Sequence, residues 1–173
     1  MKRTALLLFF FMFMLPAVPA RAADGPLAAA RARMRSALDA YLAEWDPRTL
    51  KRLVVSLREQ KLYLFHQRTL LAVFTVSTGR NRYTPEGKFR IYYKKARVRY
   101  REGDGMHWWM EFKPKFGIHG LPFDKEGLES GAEELGKAVS AGCVRLDTVQ
   151  AGLLFGLVPL HSLLIIQNDP PNY

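Results

Sequence analysis

The stretch from Arg52 to Ser77 leaves this chain few folds to choose from. Three short runs rich in β-branched and aromatic residues, at 52–57 (RLVVSL), 61–65 (KLYLF) and 70–77 (LLAVFTVS), stand between short polar breaks. That is the pattern of antiparallel hairpins. A turn at Thr84-Pro85-Glu86-Gly87 follows, and residues 88–93 (KFRIYY) alternate as a half-buried strand does. A further strand is expected over 97–101. Residues 107–112 (HWWMEF) read as a strand or a binding loop, and the Gly-punctuated stretch 123–137 as a loop with one helical turn. Residues 147–157 have helical spacing with Asp147 or Thr148 as N-cap, and 162–167 (SLLIIQ) close the chain as a strand. The sum is a mainly β domain, a sandwich or barrel and not a parallel α/β sheet, with one helix near its end.

The N-terminal part has a different grammar. Met1 to Arg3 is basic, residues 4–15 are uncharged and apolar, Pro16 breaks the run, and Ala20-Arg21-Ala22 offers an A-x-A cut site. Basic, apolar and small residues in that order read as a secretory signal peptide over residues 1–22. Residues 26–45 are rich in helix formers, with Leu27, Met34, Leu38, Tyr41 and Leu42 near helical spacing and Pro47 closing the run, so 23–48 reads as an N-terminal helical segment. A single domain is then expected over 49–169. Removing residues 1–22 takes away Lys2, Arg3 and Arg21 and no acid, leaving 23 basic against 16 acidic residues, a charge of +7. Such an excess suits anionic surroundings, and export points to the periplasm or cell envelope instead of nucleic acid.

The chain has one cysteine, so it forms no internal disulfide. In an exported chain a lone Cys is a buried inert residue, half of an intermolecular bridge, or a working thiol. Cys143 follows Ser140-Ala141-Gly142 and precedes the expected helix. Small residues let backbone approach a ligand, and successive amides at such a turn can hold an oxyanion. An ordinary thiol is only about 3% ionised at neutral pH, and a nearby imidazole raises its reactivity by accepting the proton. Of His66, His107, His119 and His161, His119 has the most telling context, between Gly117-Ile118 and Gly120. Spacing alone does not bring it to Cys143. Scattered His and one Cys give no ligand cluster, so neither metal nor cofactor is expected.

Several motifs in order supply what spacing does not. VSLREQKLYLF with VSTGR, then TPEGKFRI, GIHG, SAGCVRLD and LVPLHSLLIIQ resemble, in sequence, the conserved pieces of the L,D-transpeptidase (YkuD-type) catalytic domain. The resemblance implies a β-sandwich whose Cys and His face each other across a cleft. It implies Cys143 as nucleophile, His119 as general base oriented by the Gly120 carbonyl, and the amides of Ala141, Gly142 and Cys143 as oxyanion hole. Arg145 would grip a substrate carboxylate or form a structural ion pair, with Ser140 and Trp109 also at the substrate. For Trp108 and Trp109, core packing competes with lining the cleft. Ala141 stands where the family often has His. The interval from His119 to Cys143 is long for the family, which marks 123–137 as an insertion.

The activity so implied is attack on a tetrapeptide stem of peptidoglycan, giving a thioester that an amine resolves. The amine would come from a second stem, making a cross-link, or from a protein attached to the wall. The alternatives are an L,D-carboxypeptidase or amidase, in which water resolves the thioester, and a non-catalytic peptidoglycan-binding module. Inactivation by carbapenems, a thiol-reducing partner and a monomeric state are the further expectations.

Overall fold

The computed structural model describes residues 50–100 and 103–172. The chain divides into units 1–45 and 46–173. The signal peptide and the N-terminal helix expected at 1–22 and 23–48 lie outside the described residues.

Among the described residues ten strands form two sheets. The first contains β1 (Lys51–Ser56), β2 (Lys61–His66), β3 (Thr69–Thr75), β4 (Gly87–Arg90) and β10 (Leu163–Gln167), in the order β3-β2-β1-β10-β4. The second contains β5 (Tyr93–Arg99), β6 (Gly105–Lys113), β7 (Phe116–His119) and β9 (Val144–Arg145), in the order β5-β6-β7-β9, with β8 (Pro122–Phe123) pairing β6. Two pairs are parallel, β1 with β10 and β7 with β9. The architecture is a mainly β sandwich.

Alternation along each strand decides which side chains enter the core. Leu53, Val55, Leu62, Leu64, Leu164 and Ile166 from the first sheet meet Met110, Phe112, Ile118 and Val144 from the second, all buried. At about 25 cal/mol per Å2 of apolar surface removed from water, this shared layer is the main force joining the sheets. Residues 88–93, expected as one strand, are divided. The amide of Ile91 donates to Ser162 O (3.1 Å) beside the first sheet, while that of Tyr92 donates to Glu111 O (3.0 Å) in the second. Ile91 is fully buried at this crossing point.

Helix α1 (Thr148–Leu157) packs against β6 and β7 through Ala151 and Leu154. Asp147 caps it, accepting from the amides of Val149 (3.0 Å) and Gln150 (3.1 Å). At the other end Lys94 Nζ donates to Phe155 O and Val158 O, both 2.5 Å, and lies 4.2 Å from the Phe155 ring centroid. A cation at a helix C-terminus answers the exposed carbonyls and the negative end of the dipole. Trp108 also packs on this helix, with its ring 5.4 Å from that of Phe155. The stretch 123–137 is a loop with one 3-10 turn, Ala132–Glu134.

Candidate active site

Strand β9 brings the thiol to the histidine. It runs parallel to β7 with Ile118 opposite Val144 and His119 opposite Arg145. Ile118 and Val144 point into the core, so His119 and Arg145 share the outer face of the sheet, and Cys143 immediately precedes β9 beside them.

His119 is held from three sides. Its Nδ1 donates to Gly120 O at 2.5 Å, which leaves Nε2 as the unprotonated nitrogen. The Trp109 ring stacks on it, centroids 5.6 Å apart and planes 27° apart, and Trp109 Nε1 donates to Glu111 Oε2 (3.3 Å). Its carbonyl accepts from the amide of Leu146 (2.9 Å). Residue 120 has to be small, because a Cβ there would sit 2.9 Å from Thr148 Oγ1, and that oxygen accepts from the amide of Leu121. Trp109, 9% exposed, is thus a wall against the imidazole, whereas Trp108 belongs to the helix contact.

The loop before Cys143 is cross-tied. Ser140 Oγ donates to Cys143 O (2.6 Å) and accepts from the amide of Gly142 (3.0 Å). Ser140, expected at the substrate, is 1% exposed, and its hydroxyl is engaged within the loop. Gly142 has φ 126°, and a Cβ there would lie 2.5 Å from Phe116 Cε1, so only glycine fits. Of the three amides expected at an oxyanion, that of Gly142 is thus taken by Ser140. No described residue accepts from those of Ala141 and Cys143.

Thr84, legible in the sequence only as part of a turn, braces this loop from outside. Its Oγ1 accepts from the amide of Gly79 (2.7 Å) and donates to Gly142 O (2.9 Å). Residues 77–80 complete the strut. Ser77 and Arg145 exchange two backbone hydrogen bonds of 2.9 Å, Ser140 N donates to Thr78 O (2.9 Å), and Arg80 N donates to Ser140 O (3.0 Å). Gln60 holds Thr78 in turn, through two 2.8 Å bonds.

Arg145 forms an ion pair with Glu134 across 2.7 Å, in a setting where the two side chains are 22% and 39% exposed. Glu134 lies in the 3-10 turn of the long loop, and its role is invisible without the fold. The pair's chemistry reflects these surroundings. Burial pushes the Cys143 thiol above its usual range; a backbone hydrogen bond from Gly117 and the Arg145 charge oppose this, and Glu111 adds to it. Burial depresses His119 to about 4, against the Gly120 hydrogen bond, with the Arg145 charge adding to the depression. The resting site is therefore a neutral thiol beside a neutral imidazole. The thiol's own hydrogen bond goes to Lys115 O, 3.8 Å away.

The fold is a sandwich of the L,D-transpeptidase type. An L,D-transpeptidase from Mycobacterium smegmatis superposes with TM-score 0.59 at 16% identity, over 68% of this chain and 58% of that one. The L,D-transpeptidase LdtMt1 in complex with imipenem superposes with TM-score 0.58 at 18% identity, over 68% and 59%. The sequence carries the assignment further. Residues 50–166 match the L,D-transpeptidase catalytic domain family (YkuD), and the chain belongs to that family. Two Bacillus subtilis (strain 168) proteins carrying L,D-transpeptidase names are similar. YciB is 27% identical over 65% of this chain and 63% of its own length, and YqjB 28% identical over 67% and 70%. The chain spans less than two thirds of YciB and of the mycobacterial enzyme.

Proposed function

We propose that this chain is an exported cysteine L,D-transpeptidase acting on tetrapeptide stems of peptidoglycan. The observation that carries the reading is that Cys143 immediately precedes β9, which pairs with the end of β7 that bears His119, within a chain of this family. Gly120 fixes the tautomer that leaves Nε2 free to accept the thiol proton as Sγ attacks the stem carbonyl. The thiol's hydrogen bond goes to Lys115 O and not to the imidazole, and such catalytic contacts commonly tighten only when substrate binds. The negative oxygen that develops would take the amides of Ala141 and Cys143. His119 then gives its proton to the departing amine, which leaves a thioester on Cys143. A second amine, from another stem or a wall-attached protein, resolves that thioester and restores the thiol.

Export is supported by the basic, apolar and small-residue order of residues 1–22. An unpaired thiol outside the cytoplasm is open to oxidation, which a reducing partner would reverse. Incubating the purified protein with disaccharide-tetrapeptides and weighing the products tests the reading. Joined dimers with release of the terminal residue support it, trimmed monomers would make it a carboxypeptidase, and unaltered fragments would sink it. Imipenem should add one drug mass to the wild type and none to Cys143→Ala.

A further inference from the structure

The outer face of the second sheet does not end at the thiol. Register carries it across β7 and β6 to the edge strand β5, where Tyr93 lies opposite Glu111, Lys95 opposite Trp109 and Arg97 opposite His107. Because Trp109 stacks on His119, Lys95, Arg97 and Arg99 belong to the same face as the catalytic pair. The opposite face of β5 is the one that sends Lys94 under the helix.

Two of these cations are organised. The guanidinium carbons of Arg97 and Arg99 lie 4.7 Å and 5.7 Å from the centroid of the Phe123 ring. Phe123 is 2% exposed, and His107 packs on the same ring at 4.7 Å. Arg99 gives one hydrogen bond, to Gly103 O (2.9 Å). Among the described residues no carboxylate pairs with Arg97, Arg99 or Lys95. Stacking on a fixed ring removes much of the freedom a surface arginine would lose on binding, while its N–H edge stays available for a planar oxyanion. A purely solvated basic strand needs no such platform.

We infer that Arg97 and Arg99, seated on Phe123, form a subsite for a carboxylate of the peptidoglycan strand, remote from the amide that reacts. The inference rests on the proposed activity for the identity of the polymer. Three strand spacings across and four residues along separate Arg97 from Cys143, a distance of roughly 20 Å. An extended peptide needs about six residues to cover that span. The carboxylate is therefore not the one beside the scissile bond but one further along the strand or on a neighbouring stem. Two charge-assisted, fork-shaped contacts at that distance hold donor and acceptor strands in place without touching the chemistry.

The test uses the full chain carrying Cys143→Ala, so that binding is read without turnover and apart from whether the enzyme transfers or hydrolyses. Affinity is measured for a muropeptide dimer with free stem carboxylates and for the same dimer amidated. With Arg97→Gln/Arg99→Gln added, and melting temperature as the check on folding, binding of the free-carboxylate dimer should weaken about tenfold. Binding of the amidated dimer should change little. Arg97→Lys/Arg99→Lys, which keeps charge but not the stacked fork, should lose most of the same affinity. Full binding by the lysine variant would show diffuse attraction only and overturn the site. Equal loss for both dimers, or stronger competition by polyglycerol phosphate than by the free-carboxylate dimer, would overturn the carboxylate assignment.

Discussion

Replacing Thr84 by valine removes one hydroxyl and almost no volume, at a place where that hydroxyl joins two loops. In the native protein Oγ1 satisfies the amide of Gly79 and the carbonyl of Gly142, and Thr84 is 1% exposed. Valine leaves both groups buried without partners. Each such loss costs about 1–3 kcal/mol, so Thr84→Val should destabilise the domain by about 2–6 kcal/mol. Against a total stability of about 5–15 kcal/mol this is a large share. In urea, at a slope of about 2 kcal/mol per molar, the midpoint should fall by about 1–3 M, followed by tryptophan fluorescence. A second readout belongs to the site. Gly142 adjoins Cys143, whose thiol is pushed up mainly by burial. A loosened loop lets water back, lowers that thiol toward its ordinary value and speeds iodoacetamide labelling at pH 7, while acyl transfer slows. Cys143 is the only thiol in the chain, so the label reports on it alone. Thr84→Ser, which keeps the oxygen, should restore both properties. Thr84→Val within about 0.5 kcal/mol of wild type and with unaltered labelling would refute the brace, since that is the range of a substitution at an indifferent surface position.

Two further outcomes follow from the electrostatics of the site. His119 falls from 6.5 unfolded to about 4 folded, so the unfolded chain binds more protons between those values; stability is full above pH 6.5 and drops by roughly 3 kcal/mol as pH falls to about 4. Urea titrations at pH 7 and pH 4 should show that loss in the wild type and not in His119→Gln, and the acid limb of kcat/KM should fall near pH 4, not near 6.5. Glu134→Gln leaves the Arg145 charge without its counter-ion, so the Cys143 thiol should drop and alkylation at pH 7 accelerate, with stability altered by less than about 1 kcal/mol because the pair is partly exposed. A pH profile of alkylation superimposable on the wild type would show that the Glu134 charge does not reach the sulfur.

What the sequence made legible follows from how local each signal is. Strands β1, β2 and β10 stand out because each is a β-branched or aromatic run bounded by turn residues. Asp147 is readable as a cap because a cap acts within three residues. The division of 88–93 is hidden, since whether Tyr92 stays with β10 or turns to β6 depends on strands distant in the chain. Strands β8 and β9, two residues each, are too short to show a period. In the site, Cys143 and His119 draw notice as a lone thiol and a glycine-flanked imidazole. The tie from Thr84 to Gly142 spans 58 residues, and the Glu134–Arg145 pair depends on how the long loop folds back. Ser140 is the converse case: its place near the thiol suggests substrate contact, while the fold buries it and engages its hydroxyl within the loop.

The position of β10 has a consequence for how such a chain matures. Among the described residues the strand latest in the sequence is an interior strand of its sheet, lying between β1 and β4 with Val54 opposite Ile165 and Ile165 opposite Lys88. A growing polypeptide that has already made β1 to β9 still lacks the plank joining β4 to the rest, and β1 presents an open edge until Leu163–Gln167 arrive. Closure by contacts of such long sequence separation is slow compared with hairpin formation. A polypeptide halted before Leu163 would therefore remain unable to lock its first sheet shut.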